Sequence, residues 1–286
     1  MYSERHLPHQ EDGQGHEQKT TDSKFMAYCE KAVKLFCREF STEGVERLLE
    51  FQQQHPEAKF IITASHTNNL DAPSAIKALG VNFDMLLTGE SVLLEKLKYL
   101  PQRIMIQAIG RDNFFPLDYA SEGKKHGVFN PENFDGLSEK MTDGKTPWIA
   151  NHPFSTTGQM KKASVGPVYL AQKTGAYIVP CGLDMSGGSE SMEGVKEITK
   201  GLFNRASVKF HVGEPVKLPP IDIGIIDDVF NKRKNNETVS AEEKALFSEV
   251  IRKLREQAEL LGSNIAEMLP ENQRGVYGKT VENRTE

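Results

Sequence analysis

Cysteine is scarce in this chain of 286 residues: Cys29, Cys37 and Cys181 are the full set. Three thiols with no C-x-x-C pair exclude a disulfide framework and fit a reducing, cytoplasmic setting. Positive charge is short as well. Thirty-five Lys and Arg against 40 Asp and Glu leave a formal net charge of −5, which disfavours a free-standing nucleic-acid binder working by phosphate neutralisation. Long apolar runs are missing; Phe60–Ile62 and Met85–Leu87 are strand-sized, far below the ~18–20 residues of a membrane span. The first residues are polar and lack the apolar core of a secretory signal. Any membrane is therefore expected to be met peripherally, from its inner face. No GxSxG elbow is present, which weakens a Ser/His hydrolase reading and leaves Ser155 and Ser186 as its serine candidates.

What is present is enough apolar material, 38% of residues, to bury one large core. Residues 1–23 are rich in Gln, Glu, Asp, Gly, Thr and His and are expected to form a disordered tail. Its histidines, His6, His9 and His16, keep no metal-ligand spacing with a carboxylate or thiol, so no metal site is expected. Residues 24–270 read as a single α/β domain, and 271–286 as a flexible C-terminal tail. Phe25, Cys29, Val33, Phe36 and Phe40 recur at helical spacing, and Val45, Leu48, Leu49 and Phe51 continue it after a break at Ser41-Thr42. Strands are expected at Lys59–Thr63, Phe83–Leu87, Arg103–Ile109, Thr146–Ala150, Tyr177–Leu183 and Ser207–Val212. Helices are expected at Asp71–Leu79, Val92–Tyr99, Val165–Lys173, Asp222–Lys232 and Ala241–Leu261. Strands alternating with helices predict a mostly parallel central sheet flanked by helices, preceded by N-terminal helices.

The sharpest local feature is Ser65-His66-Thr67-Asn68-Asn69-Leu70-Asp71, directly after the strand at Lys59–Thr63. It puts a histidine at the carboxyl end of a parallel strand, where open α/β sheets bind ligands. Asp71, at the start of the next helix, is close enough for a turn to bring its carboxylate to one imidazole nitrogen. That fixes the tautomer and leaves the other nitrogen as a general base for an alcohol. Asp71 is also a good N-cap, with Pro73 in the first turn and Gly80 ending the helix, so spacing alone leaves its role open.

Further blocks follow in order. Ile109-Gly110-Arg111 runs through Phe115-Pro116-Leu117-Asp118. Pro147-Trp148-Ile149-Ala150-Asn151-His152-Pro153 leads into Ser155-Thr156-Thr157-Gly158 and Lys161-Lys162. Gly175-Ala176-Tyr177-Ile178-Val179-Pro180 and Gly213-Glu214-Pro215 close the series. With the His-x4-Asp box at their head, these blocks resemble the glycerolipid acyltransferase family, which includes lysophosphatidic acid acyltransferases, over about residues 59 to 220. The resemblance implies an acyltransferase-like α/β fold and an O-acyltransferase of phospholipid biosynthesis. In it, His66 is the base, Asp71 its orienting partner, and the acceptor hydroxyl attacks the donor directly. It implies no bound cofactor; acyl-CoA or an acyl carrier protein thioester is the co-substrate, and a lipid or other alcohol the acceptor.

The chain departs from the family at the third block. Asn151 or His152 stands where a glutamate is usual, and no arginine follows. The arginine ending the second block is Tyr119 here, or is displaced to Arg111, and Ser65 replaces a common asparagine. The candidate acceptor grip is therefore Ser155, Thr156, Gly158, Lys161 and Lys162, with Arg111 as a displaced phosphate ligand. Asn151 and His152 are candidate oxyanion donors. Leu86, Leu87, Leu93, Leu94, Leu97 and Leu100 are candidate walls for the acyl chain, or simply core. Lys96, Lys98 and Arg103 among them make a basic amphipathic stretch suited to an anionic bilayer. A non-catalytic lipid-binding member of the fold and an acyl thioesterase are the alternatives.

Overall fold

A computed structural model of the protein describes residues 20–95, 100–117, 130–189 and 194–278. His6, His9, His16, Lys96, Leu97, Lys98, Asp118 and Tyr119 lie outside them. The chain begins with α1 (Ser23–Phe36), whose first turn is capped by the Asp22 carboxylate accepting from the Lys24 and Phe25 amides. It runs straight into β1 (Cys37–Glu43) and then α2 (Val45–Gln54), β2 (Phe60–Ala64), α3 (Asp71–Leu79) and β3 (Met85–Glu90). Next come α4 (Val92–Glu95), α5 (Leu100–Ile109), β4 (Phe114–Leu117), α6 (Glu132–Thr142) and β5 (Thr146–Ala150). The remainder is α7 (Gly166–Thr174), β6 (Tyr177–Ser186), α8 (Gly194–Phe203), β7 (Ala206–Val212), α9 (Gly224–Lys234) and α10 (Ala241–Glu267).

The strands form one seven-stranded sheet in the order β1-β7-β6-β2-β5-β3-β4. Every pairing is parallel except β6 with β7, so the expected fold class holds. The central strand β2 is buried along its whole length, because helices cover both faces of a parallel sheet. Its side chains alternate. Phe60, Ile62 and Ala64 join the core under α1 and α3, with Met85, Leu87, Trp148, Val179 and Cys181. Ile61 joins the opposite core with Leu86, Ile149 and Ile178, under α6, α7 and α10. Leu86 and Leu87 are thus ordinary core residues on opposite faces, not one wall; Leu93 and Leu94 pack half-buried against the first core.

Several expectations change. The strand predicted at Arg103–Ile109 is the helix α5: Ile106 and Ile109, three apart, are buried while Ile104 is exposed, and a short apolar run does not separate the two periods. Phe40 belongs to β1, not to a longer first helix. As an edge strand, β1 is mostly exposed and shows no alternation to read. The two termini of the domain are also longer than expected. Thr21 is buried, donating its hydroxyl to the Phe83 carbonyl and accepting from the Met85 amide. At the other end, residues 271–278 are packed rather than loose. Gln273 is buried, its carbonyl accepts from the Met160 amide, and the Tyr277 hydroxyl accepts from the Ala163 amide and donates to Glu259.

Candidate active site

The chain after β2 crosses one face through α3 to reach β3, while the chain after β5 crosses the other face through α7 to reach β6. Neighbouring parallel strands whose connections diverge leave a crevice at their carboxyl ends. β2 and β5 are such a pair, with Ala64 opposite Ala150. His66 follows the first strand and Asn151-His152 the second, so the topology brings together what the sequence separates by 86 positions.

His66 Nδ1 lies 3.2 Å from Asp71 Oδ2. The same oxygen accepts from the Thr67 and Asn68 amides at 2.8 and 2.9 Å. Asp71 is the first residue of α3, yet its carboxylate turns back into the preceding loop instead of capping the helix. The capping role that spacing allowed is therefore replaced by one toward the histidine. Asn68 Oδ1 closes the turn by accepting from the Leu70 amide, and Asn68 Nδ2 donates to the Ser189 carbonyl. The Asp71 side chain is fully buried and that of His66 is 26% exposed, so the pair points from the protein interior to its surface. Burial pushes the Asp71 carboxyl up from its ordinary value, opposed by His66 and by the two amides. A carboxylate accepts only, so the imidazole proton sits on Nδ1 and the lone pair on Nε2 is free for a substrate proton. Trp148 and Phe154 hold the ring edge-on, with centroids 5.6 and 4.9 Å away.

The loop after β5 fixes the histidine's main chain. The His66 amide donates to His152 Nε2 at 3.2 Å, and the His66 carbonyl accepts from the Ser155 amide at 2.9 Å. With Nε2 accepting, the His152 proton is on Nδ1, which faces the Pro153 carbonyl at 2.9 Å. Burial holds this ring well below the usual histidine range, at about 4. Both nitrogens of His152 are occupied by the fold, so it is not an oxyanion donor; it positions His66. Asn151 differs. Its backbone joins Ala64 and Ser164, but its buried amide has no hydrogen-bond partner among the described residues, and neither has the Trp148 indole N–H.

The expected anion grip is largely dispersed. Lys161 folds back 2.5 Å onto the Phe154 carbonyl, and Lys162 reaches Glu259 of α10 at 3.5 Å. Ser155 is buried and bonded to the Thr157 hydroxyl at 3.1 Å, which gives a hydrolase nucleophile no histidine. Thr156 is exposed, and Gly158 turns the loop at φ 69° with open space around it. Arg111 lies in a 3-10 turn ahead of β4, the edge strand two places from β5, whose first residue Phe114 stands level with Trp148; it precedes a strand where His66 and Asn151 follow one.

No family model and no curated protein matches this chain. Among solved structures it is similar to the 1-acyl-sn-glycerophosphate (LPA) acyltransferase PlsC from Thermotoga maritima. Identity is 17%, the match covers 83% of this chain and 78% of that one, and the TM-score is 0.43. A likeness that distant assigns no role to any residue. The roles of Trp148, Phe154 and His152 come from the geometry alone. The one advance signal for them was that the chain's single tryptophan stands two residues past the start of a strand, with His152 and Phe154 following.

Proposed function

We propose that the protein is an O-acyltransferase, moving a fatty acyl group from a thioester of coenzyme A or of an acyl carrier protein to the hydroxyl of a lipid-type acceptor. The observation that carries this reading is the buried Asp71 carboxylate on His66 Nδ1, with Nε2 free at the β2–β5 crevice. His66 Nε2 takes the proton of the acceptor hydroxyl as its oxygen attacks the thioester carbonyl carbon. The carbonyl oxygen becomes an oxyanion, for which Asn151 Nδ2 and Trp148 Nε1, buried and without a partner among the described residues, are the donors. Collapse of the intermediate breaks the C–S bond, and the proton on Nε2 passes to the departing thiolate. Asp71 stays ionised and stabilises the imidazolium. No enzyme nucleophile and no acyl-enzyme are required.

With Lys161 on the Phe154 carbonyl and Lys162 paired with Glu259, a phosphate-free alcohol is the favoured acceptor. The same observation supports a second reading, a thioesterase in which water takes the acceptor's place. Thiol release from long-chain acyl-CoA and acyl carrier protein tests both, using wild type and His66→Ala with lysophospholipids, glycerol 3-phosphate and phosphate-free alcohols. Acceptor-dependent release lost in the variant supports transfer, and release without acceptor supports hydrolysis. Turnover retained by His66→Ala would sink the assignment.

A further inference from the structure

β6 runs parallel to β2, β7 is antiparallel to β6, and β1 is parallel to β7. The beginnings of β1 and β7 therefore lie at the same end of the sheet as the carboxyl end of β2, where His66 sits. Cys37 at the start of β1 pairs with Ala206 at the start of β7. The end of α1 and the end of α8, which lead into those strands, meet at this corner. Arg205 ties them together by donating to the Lys34 carbonyl at 2.6 Å and to the Cys37 carbonyl.

Two features coincide there. A groove of about 470 Å3 is floored by Val33, Cys37 and Phe40 and edged by Lys34, Arg38, Lys77 and Arg205, with Glu30 as its one carboxylate. These four cations come from α1, β1, α3 and the turn between α8 and β7, in a chain whose net charge is −5. Among the described residues none is paired with a carboxylate. Arg38 donates to the Ser207 hydroxyl at 2.8 Å, and the Lys77 ammonium sits 4.3 Å over the Phe40 ring. Beside the groove, Leu35 at the end of α1 is 53% exposed, and Leu202 and Phe203 at the end of α8 are 38% and 90% exposed. Uncompensated cations beside exposed large apolar side chains match the two layers of a bilayer interface, phosphate outside and hydrocarbon within.

We propose that this corner docks on an anionic membrane. The groove takes a phospholipid phosphate and Leu35 and Phe203 enter the acyl region, with the His66 crevice at the same end of the molecule. β1 and β2 stand three strand spacings apart, about 14 Å, and β6 runs five residues, about 16 Å, past the level of Ala64 before Ser186 meets Ser207, so docking at the corner keeps the crevice on the membrane-facing end of the molecule. The expected basic stretch around Lys96 and Lys98 is not needed for this.

The test is co-sedimentation of the full chain with vesicles, which reads no turnover and so stands or falls apart from the acyl-transfer reading. Vesicles of phosphatidylcholine and phosphatidylglycerol in equal parts are compared with phosphatidylcholine alone. Wild type is expected to bind the anionic vesicles and to be released by salt. Lys34→Gln and Arg38→Gln each weaken binding about fivefold, and Phe203→Ser about tenfold with unchanged melting temperature. Absence of vesicle binding overturns the proposal, as does binding that none of the three variants weakens. Protection by inorganic phosphate without any vesicle binding also overturns it, by making the groove a site for a free anion.

Discussion

His152 is the residue whose replacement separates a positioning role from a structural one. Its buried ring accepts the His66 amide and is held near 4, against an ordinary value of 6.5. The folded protein keeps it neutral, so between about pH 4 and 6.5 the unfolded chain binds the extra proton. Stability from this residue is complete above that window and is lost as pH falls through it, a loss of about 3 kcal/mol in total. Asp71, raised by burial, acts in the opposite sense, since its contribution is present at low pH and lost as pH rises. Wild type shows the sum, and comparison with His152→Gln isolates the histidine. Glutamine presents an oxygen to the His66 amide and does not titrate. Its urea-unfolding free energy should lack that acid slope, while kcat stays within a few-fold of wild type. His152→Ala orphans the buried His66 N–H at about 1–3 kcal/mol and lets the base drift, lowering kcat about 100-fold. Matching acid slopes for wild type and His152→Gln, or wild-type kcat in His152→Ala, would refute the reasoning.

His66→Ala removes the base and should lower kcat for thiol release by about 10^2 to 10^4, with little change in melting temperature because the ring is at the surface end of the pair. Asp71→Asn keeps one oxygen for His66 Nδ1 and for the Thr67 and Asn68 amides but loses the negative charge that stabilises the imidazolium. An activity loss of about 10^3 or more is expected. Asn151→Ala discards a buried amide that no described group satisfies, so unfolding free energy should hold or rise. Its kcat should fall about 100-fold at unchanged KM if the amide serves the oxyanion; a normal kcat removes it from the mechanism.

Reading the fold from sequence succeeded where burial on both faces wrote a plain signal. Thr146–Ala150 and Asp71–Leu79 have the limits that their apolar runs and flanking residues predict, and β2 is displaced by one residue. It failed at the margins of the sheet. β1 is an edge strand with a single partner, and most of its residues face solvent, so Arg38, Glu39, Ser41 and Thr42 carry no alternation. β4 is the opposite edge, only four residues long. The helix α5 looked like a strand because its apolar residues are crowded, and only tertiary contacts show that Ile106 and Ile109 are covered while Ile104 is exposed.

The site shows a sharper division. His66 and Asp71 were legible because one short loop carries both, and local geometry alone brings them together. What holds them was not legible, because the His66 amide, the His152 ring and the Ser155 amide meet only when β5 pairs beside β2. Sequence reasoning placed His152 at the right end of the right strand and gave it the wrong task. Residue type suggested a donor, but the histidine's proton and lone pair are both committed once an amide and a carbonyl face it. Arg111 fails for the complementary reason. Its neighbours in sequence suggested a phosphate ligand, yet it precedes β4, the edge strand two places from β5, instead of following a strand. For a polar residue in an α/β sheet, the side of the strand on which it falls therefore decides its use before its chemistry does. By that rule the search for an acceptor grip belongs with residues that follow β2, β3, β5 and β6, where, among the described residues, the Asn151 amide is buried without a partner, as are Asp71 Oδ1 and Ser74 Oγ of α3.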